Sequence, residues 1–66
     1  MRGLALSSLR TGKKYKLSNF GEVYEFRLQK ILNRDYDLKD LHTLEAYLMS
    51  DLLRFGKGED FEILEI

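Results

Sequence analysis

The chain has 66 residues, no formal net charge at pH 7 and no cysteine. A chain this short makes one small domain that buries only about 60% of its unfolded surface, and the lack of cysteine excludes disulfides and thiolate metal sites. Hydrophobic residues make up 44% of the chain and eight residues are aromatic, which predicts a folded domain rather than a disordered one.

The charge is distributed unevenly along the chain. Residues 1–34 carry eight Lys and Arg against two Glu, and residues 35–66 carry three Lys and Arg against nine Asp and Glu. Such asymmetry is typical of a basic binding face, or of a fold in which the two ends of the chain lie against each other. No apolar run reaches the roughly 18 residues of a membrane span, and the N-terminal apolar run is too short for a secretory signal. We expect a cytoplasmic protein with no membrane partner.

The N-terminal third predicts an arm followed by a strand. Residues 1–12 end in a glycine and are expected to form a flexible N-terminal arm, which leaves 13–66 as the single domain. Polar and apolar residues alternate over 13–17, as in a half-buried strand. Ser, Asn and Gly within 18–22 predict the turn that follows it.

Three further segments alternate in the same way. The clearest strand is 23–33, and its alternation changes phase at Lys30, which indicates a bulge or a sharp bend. A turn over 33–35 leads to a strand over 36–40. The end of the chain, 60–66, alternates again and predicts a last strand.

The segment between these last two strands has two interpretations. In the first, apolar residues recur with spacings of three, four, four and three at Leu41, Leu44, Leu48, Leu52 and Phe55. That stripe predicts one amphipathic helix over 40–55. The fold would then be α+β, with a β-hairpin, this helix and a final strand.

In the second interpretation the same segment is a turn over 39–45, a strand over 45–49 and a short helical turn near 50–55. Ser50 would cap that helical turn and Gly56 would end it. Leu44 argues against this interpretation, because it occupies a position where such turns favour glycine.

Two observations favour the second interpretation. A helix over 40–55 would leave Tyr47, Met49 and Leu53 off its apolar stripe. It would also place Ser50 and Asp51 in mid-helix, where their side chains compete for backbone hydrogen bonds. We therefore predict an all-β fold of five strands with one short helical turn.

The order of these elements resembles that of the Src-homology-three-like small barrels. The segments "YDLKD" and "TLEAYLMSDLLRFGKGEDFEI" are also similar to small uncharacterised bacterial proteins of that kind. The resemblance covers residues 13–66 and implies a five-stranded barrel. Peptide-binding members carry an aromatic run in the first loop, but this loop, "SNFGE", has only Phe20, so polyproline recognition is not carried over. Five aromatic residues are expected in the core: Tyr15, Tyr24, Phe26, Phe55 and Phe61.

No catalytic, cofactor-binding or metal-binding motif is present in the sequence. "GKGED" at 56–60 has two glycines but lacks the setting of a phosphate-binding loop. "DYDLKD" at 35–40 lacks the glycine and the distal glutamate of a calcium loop. The single histidine, His42, is expected in an exposed loop. We expect no enzyme, no cofactor and no metal.

The function expected from these features is that of a small non-catalytic interaction module, which binds a protein partner or a second copy of itself. Three residues near predicted loops or exposed faces are the candidate contacts: Phe20, His42 and Tyr47.

The alternative is a nucleic-acid-binding barrel in which Tyr15 stacks on a base. Its phosphate contacts would come from the basic cluster Lys13, Lys14, Lys16 and Arg27. A structural explanation of this cluster is also available. If the first and last strands pair, Lys14 and Lys16 lie near Glu62 as cross-strand charge pairs, and the cluster is neutralised.

Overall fold

The computed structural model describes residues 3–66. These residues form five strands, one short α-helix and a 3-10 turn. Their bounds are Leu6–Ser8 (3-10 turn), Lys14–Asn19 (β1), Glu22–Leu32 (β2), Asp35–Asp40 (β3), Ala46–Leu48 (β4), Met49–Leu52 (α1) and Glu62–Glu65 (β5). The strands form one antiparallel sheet in the order β4-β3-β2-β1-β5. The predicted all-β architecture of five strands and a short helical turn is confirmed.

The long second strand carries the irregularity that the sequence predicted. The β2–β3 register shifts between Leu28 and Lys30, so Gln29 is the extra residue of a bulge. Before the bulge, Phe26 and Leu28 point to the core. After it, Ile31 is exposed and lies opposite Tyr36. The bulge explains why the alternation of the sequence changes phase at Lys30.

The segment after β3 is divided as the second interpretation predicted. A tight loop over 41–45 leads into β4, and α1 is a single turn. Within residues 3–66 no helix is long and apolar enough to cross a membrane. Met49 is buried and Tyr47 and Leu53 pack against the core, so the three side chains that a continuous helix would have exposed are covered instead.

The start of α1 differs from the prediction. Met49 is the first helical residue, so Ser50 lies inside the first turn and is not its cap. The backbone N–H of Ser50 donates to Asp35 Oδ1 (3.1 Å), and its hydroxyl donates to Asp35 Oδ2 (2.8 Å). The backbone N–H of Leu48 donates to Asp51 Oδ2 (3.0 Å). The cap comes from the neighbouring strand because Leu48 has no side-chain acceptor.

The core is formed by the inward-facing positions of four strands together with α1 and the N-terminal segment. Its fully or nearly fully buried apolar residues are Leu9, Tyr15, Leu17, Phe26, Leu28, Leu38, Met49 and Ile63. Of the aromatics expected there, Tyr24 and Phe61 are half-buried. Phe55 was expected in the core and this was wrong: it is 82% exposed, beyond the end of α1 and beside Arg54.

The sheet is open at its two edges. In the described part of the chain β4 and β5 are the edge strands and share no hydrogen-bonded ladder. The free edge of β5 is partly covered by the N-terminal segment, where the Leu4 N–H donates to the Ile63 carbonyl (2.7 Å). Covering an edge in this way removes a template for strand addition.

The predicted N-terminal arm lies against this sheet. Leu9 is buried in the core, and Tyr36 Oη donates to the Leu6 carbonyl (3.1 Å). The backbone N–H of Arg10 donates to Tyr15 Oη (2.8 Å). Residues 1 and 2 of the predicted arm lie outside the described part. The mobility of the arm and a domain boundary at residue 13 stay predictions.

Candidate functional site

Phe20 lies in the tight turn between β1 and β2 and is exposed. It has a positive φ of 50°, and Gly21 follows with a φ of 76°. The N–H groups of both residues donate to the Asp60 carboxylate at 2.8 Å. The Phe20 ring packs so closely over Gly58 that a Cβ there would lie 2.9 Å from it. Phe20 therefore belongs to a contact between this turn and the loop before β5.

His42 lies in the β3–β4 loop, and its side chain is exposed as predicted. Its ring Nε2 is 2.6 Å from Glu25 Oε1 on β2. Its backbone N–H donates to Asp40 Oδ1 (2.7 Å), and so does that of Thr43 (2.9 Å). These bonds from the loop to the strand before it fix the conformation of the loop.

Tyr47 is half-buried on β4, opposite Leu38 of β3. Its hydroxyl donates to Asp40 Oδ2 (3.3 Å). Burial and the neighbouring Asp40 charge raise the pKa of Tyr47 above its usual value. Backbone N–H groups of Thr43 and His42 lower the pKa of Asp40. The pair at neutral pH is therefore a neutral phenol and an anionic carboxylate.

A groove of about 360 Å³ opens beside this pair. We call it the tyrosine groove, and it is lined by Tyr24, Asp40, Thr43, Glu45, Ala46 and Tyr47. Two aromatic rings and two carboxylates thus meet in one concave place. Rings attract a cation through their faces, and carboxylates pair with it, so this arrangement can hold a positively charged group.

Of the three residues predicted as partner contacts, Tyr47 alone lines the groove. His42 contacts the groove's Asp40 only through its backbone N–H, while its ring lies against Glu25 of β2. Phe20 lies apart, at the turn held by Asp60. Sequence reasoning missed Tyr24, which it assigned to the core because it faces inward, and it missed the acids Asp40 and Glu45. The Asp-x-x-Thr pattern at residues 40–43, typical of a side-chain-closed turn, would have located Asp40.

A second feature crosses the outward face of the sheet. Lys14 lies directly opposite Arg27, and Arg27 lies directly opposite Lys39. We call these three residues the basic row. Lys16 points the same way but lies between Glu25 and Leu64, while Lys13 precedes β1 and is exposed. Lys39 was not among the predicted basic residues.

The expected neutralisation of the basic cluster is not observed. β1 and β5 do pair as predicted, but Glu62 lies opposite Ser18, and Lys16 lies opposite Leu64. Among residues 3–66 the only ion pair within 4.0 Å is that of His42 and Glu25. Tyr15 is only 1% exposed, so it lies in the core as expected, and its ring does not offer the base stacking of the nucleic-acid alternative.

Side chains that commonly bind metals are not grouped within residues 3–66. No set of three or more His, Cys, Asp or Glu side chains in the described range 3–66 could hold a metal ion. No protein-family model matches the chain, and no curated protein or solved structure matches it either.

Proposed function

We propose that this chain is a non-catalytic interaction domain that binds a protein partner through the tyrosine groove. The observation that carries the proposal is the meeting of Tyr24 and Tyr47 with Asp40 and Glu45 around one groove. Aromatic side chains are enriched at protein interfaces because they combine a large apolar surface with a polar end. The groove is formed mainly by the β3–β4 loop and β4, at the edge of the sheet.

The fold is assigned, as part of the same proposal, to the Src-homology-three-like small barrels. The strand order, the bulged β2 and the helical turn before the last strand support this assignment. The hydrogen-bonded ladder is open between β4 and β5, so closure of the barrel would rest on side-chain packing. A bacterial origin and a cytoplasmic location stay predictions.

The chemistry of the groove favours a lysine or arginine side chain of the partner. Asp40 and Glu45 supply negative charge, and the two tyrosine rings supply the faces over which a cation binds. The Asp40 carboxylate already accepts three hydrogen bonds, two from backbone N–H groups of the β3–β4 loop and one from the Tyr47 hydroxyl on β4. Glu45 is exposed, and its carboxylate is the more available group for a new ion pair.

The test is an NMR titration with an acetylated Gly-Arg-Gly peptide, with citrulline in place of arginine as the uncharged control. We expect the arginine peptide to shift the resonances of Tyr24, Glu45 and Tyr47. An exposed ion pair is worth roughly 0.2–1 kcal/mol, so Glu45→Gln should weaken binding by a factor of about 1.4 to 5. The matched control Glu65→Gln on β5 should leave it unchanged. Equal shifts with citrulline, or shifts elsewhere on the sheet, would contradict the proposal.

A second copy of the chain is the other protein partner that the proposal covers. Sedimentation velocity across a wide concentration range separates the two cases. A dimer that dissociates on dilution, and that Glu45→Gln weakens, would identify the partner as another copy. A strict monomer that binds the arginine peptide would identify a different protein.

A nucleic acid is the second candidate partner, favoured by the basic row in register across three strands. In that case the contacts come from Lys13, Lys14, Lys16 and Arg27, without base stacking by the buried Tyr15. Fluorescence anisotropy with a single-stranded dT20 and with a DNA duplex tests it. Binding must weaken steeply as salt rises, because phosphate contacts release counterions. No binding at low salt rules this candidate out.

A further inference from the structure

A second concave place lies on the other side of the β3–β4 loop from the tyrosine groove. It has a volume of about 200 Å³. We call it the basic hollow, and it is lined by Arg27, Gln29, Lys39, Asp40, Leu41 and Leu44. Two members of the basic row therefore border two leucines. The hollow shares only Asp40 with the tyrosine groove, and the Asp40 carboxylate accepts hydrogen bonds from His42, Thr43 and Tyr47.

The backbone at Leu44 is strained, and the fold of the chain itself gains little from it. Leu44 has a φ of 63°, a left-handed conformation that is unfavourable for residues other than glycine. Its side chain is 65% exposed, so burial does not offset this cost. The turn itself needs only backbone atoms of Leu44, whose N–H donates to the Asp40 carbonyl (3.1 Å). Glycine or asparagine would meet that need with less strain.

A second unfavourable contact at the hollow is the repulsion between neighbouring positive side chains. Arg27 faces Lys39 on one side and Lys14 on the other, and like charges directly opposite each other destabilise a sheet. No carboxylate in residues 3–66 forms an ion pair with any of the three within 4.0 Å. The exposed Leu44 and the unpaired cations Arg27 and Lys39 meet at one hollow, where an anionic, partly apolar ligand would bury the leucine and neutralise the cations.

We infer that the basic hollow binds an acidic segment of a partner protein that carries a large apolar side chain. The apolar side chain packs on Leu41 and Leu44, and the flanking carboxylates pair with Arg27 and Lys39. Charge complementarity sets the sign of the ligand, and the leucines favour a protein over a nucleic acid. Glu25 lies on the same outward face beside Lys16, and the chain has no net charge, which also disfavours a polyphosphate backbone. The inference rests on the proposed function only in taking the partner to be a protein.

The probe is a fluorescein-labelled peptide of sequence Glu-Glu-Leu-Glu-Glu, measured by anisotropy. Two control peptides carry Gln for every Glu, or Ala for Leu, and both should bind more weakly. Arg27→Gln should weaken binding of the probe about two- to fivefold. The matched control Lys57→Gln, in the loop before β5, removes the same charge and should leave binding unchanged.

Leu44→Gly is the decisive variant, because binding and stability should move in opposite directions. Loss of an apolar side chain from an interface should weaken binding about tenfold. Relief of the left-handed strain should raise the thermal unfolding midpoint of the free protein by about 2–6 °C. A residue with a purely structural role would lower stability when removed, so a fall in the midpoint would overturn the inference.

Three further outcomes would overturn it. The first is unchanged binding of the acidic peptide by Leu44→Gly, and the second is equal binding of the Gln peptide. The third is that dT20 binds more tightly than the acidic peptide, and that Arg27→Gln weakens this binding while Leu44→Gly does not. That result would identify a nucleic-acid surface. Glu45→Gln separates this inference from the proposed function. It should weaken the arginine peptide at the tyrosine groove and leave the acidic peptide bound, so either proposal can fail alone.

Discussion

A single carboxylate joins two distant parts of this chain. Asp60 accepts the N–H groups of Phe20 and Gly21, roughly forty residues earlier, with both oxygens at 2.8 Å. These bonds exist in the folded state and favour the ionised form, so they lower the pKa of Asp60 from its usual value of 3.8. Hydrogen bonds also lower the pKa of Asp35, chiefly the bond from the Ser50 hydroxyl, and the pKa of Asp40, chiefly those from the backbone N–H groups of Thr43 and His42.

The lowered pKa of Asp60 predicts a stability that is lost in acid. A carboxyl group with a lower pKa in the folded than in the unfolded state stabilises the fold fully above the unfolded value of 3.8. This contribution disappears as the pH falls through the folded value. We expect Asp60→Asn to lower the urea midpoint at pH 7, and the gap from the unmodified protein to close as the pH falls below 3.8.

Urea unfolding at a series of pH values from 7 down to 2 measures this gap. The control is Asp37→Asn, since the Asp37 carboxylate accepts no hydrogen bond from the rest of residues 3–66. Its midpoint should follow that of the unmodified protein across the range. A gap for Asp60→Asn that stays constant with pH would show that its role does not depend on charge.

At the scale of elements, the end of β1 and the loop after α1 are joined by a buried amide. Asn19 is 2% exposed. Its Nδ2 donates to the Gly56 carbonyl (3.0 Å), and its Oδ1 accepts the Gly58 N–H (2.7 Å). The two glycines of "GKG" are therefore part of a structural contact.

Asn19→Leu should destabilise the fold by about 2 kcal/mol, because it removes the two hydrogen bonds to Gly56 and Gly58, each worth about 1 kcal/mol. Urea unfolding followed by circular dichroism measures the change. Ser18→Ala is the control on the same strand, since Ser18 faces outward and should change stability by less than about 0.5 kcal/mol. A loss for Asn19→Leu no larger than that of the control would show that water replaces both hydrogen bonds.

The sequence could predict the elements that are defined by interactions between residues close together in the chain, but not those defined by distant residues. The bulge at Gln29 and the short α1 were visible because a change of phase and a misplaced Ser-Asp pair are local signals. The true cap of α1 was not, because Asp35 lies fifteen residues before Ser50. Leu44 was recognised as unfavourable in its turn, but the sequence could not show that the turn forms in spite of it.

At the scale of the whole molecule, the opposite charges of the two halves correctly suggested that the chain ends meet. They meet as β1 and β5, but the register decides which side chains are neighbours, and it places Glu62 beside Ser18. Strand register depends on packing of the whole core and is not encoded in alternation alone. For the same reason the sequence predicted Tyr47 of the groove and Arg27 of the basic row as candidate contacts, but not their neighbours Tyr24 and Lys39.

The small core makes the fold sensitive to the loss of one central ring. Phe26 is completely buried in the middle of β2, and its ring centroid is 6.1 Å from that of Tyr15. Removing a buried phenylalanine costs about 3–5 kcal/mol, and a single core in a domain of this size rarely supplies more than about 3–5 kcal/mol in total. We therefore expect Phe26→Ala to be largely unfolded at 25 °C.

Amide dispersion in an ¹⁵N-HSQC spectrum and near-ultraviolet circular dichroism give the readout for Phe26→Ala. Phe55→Ala is the matched control, because the same side chain is removed from a position that is 82% exposed, and its stability should change by less than about 0.5 kcal/mol. A folded Phe26→Ala with a cooperative transition would mean that other contacts outweigh the core.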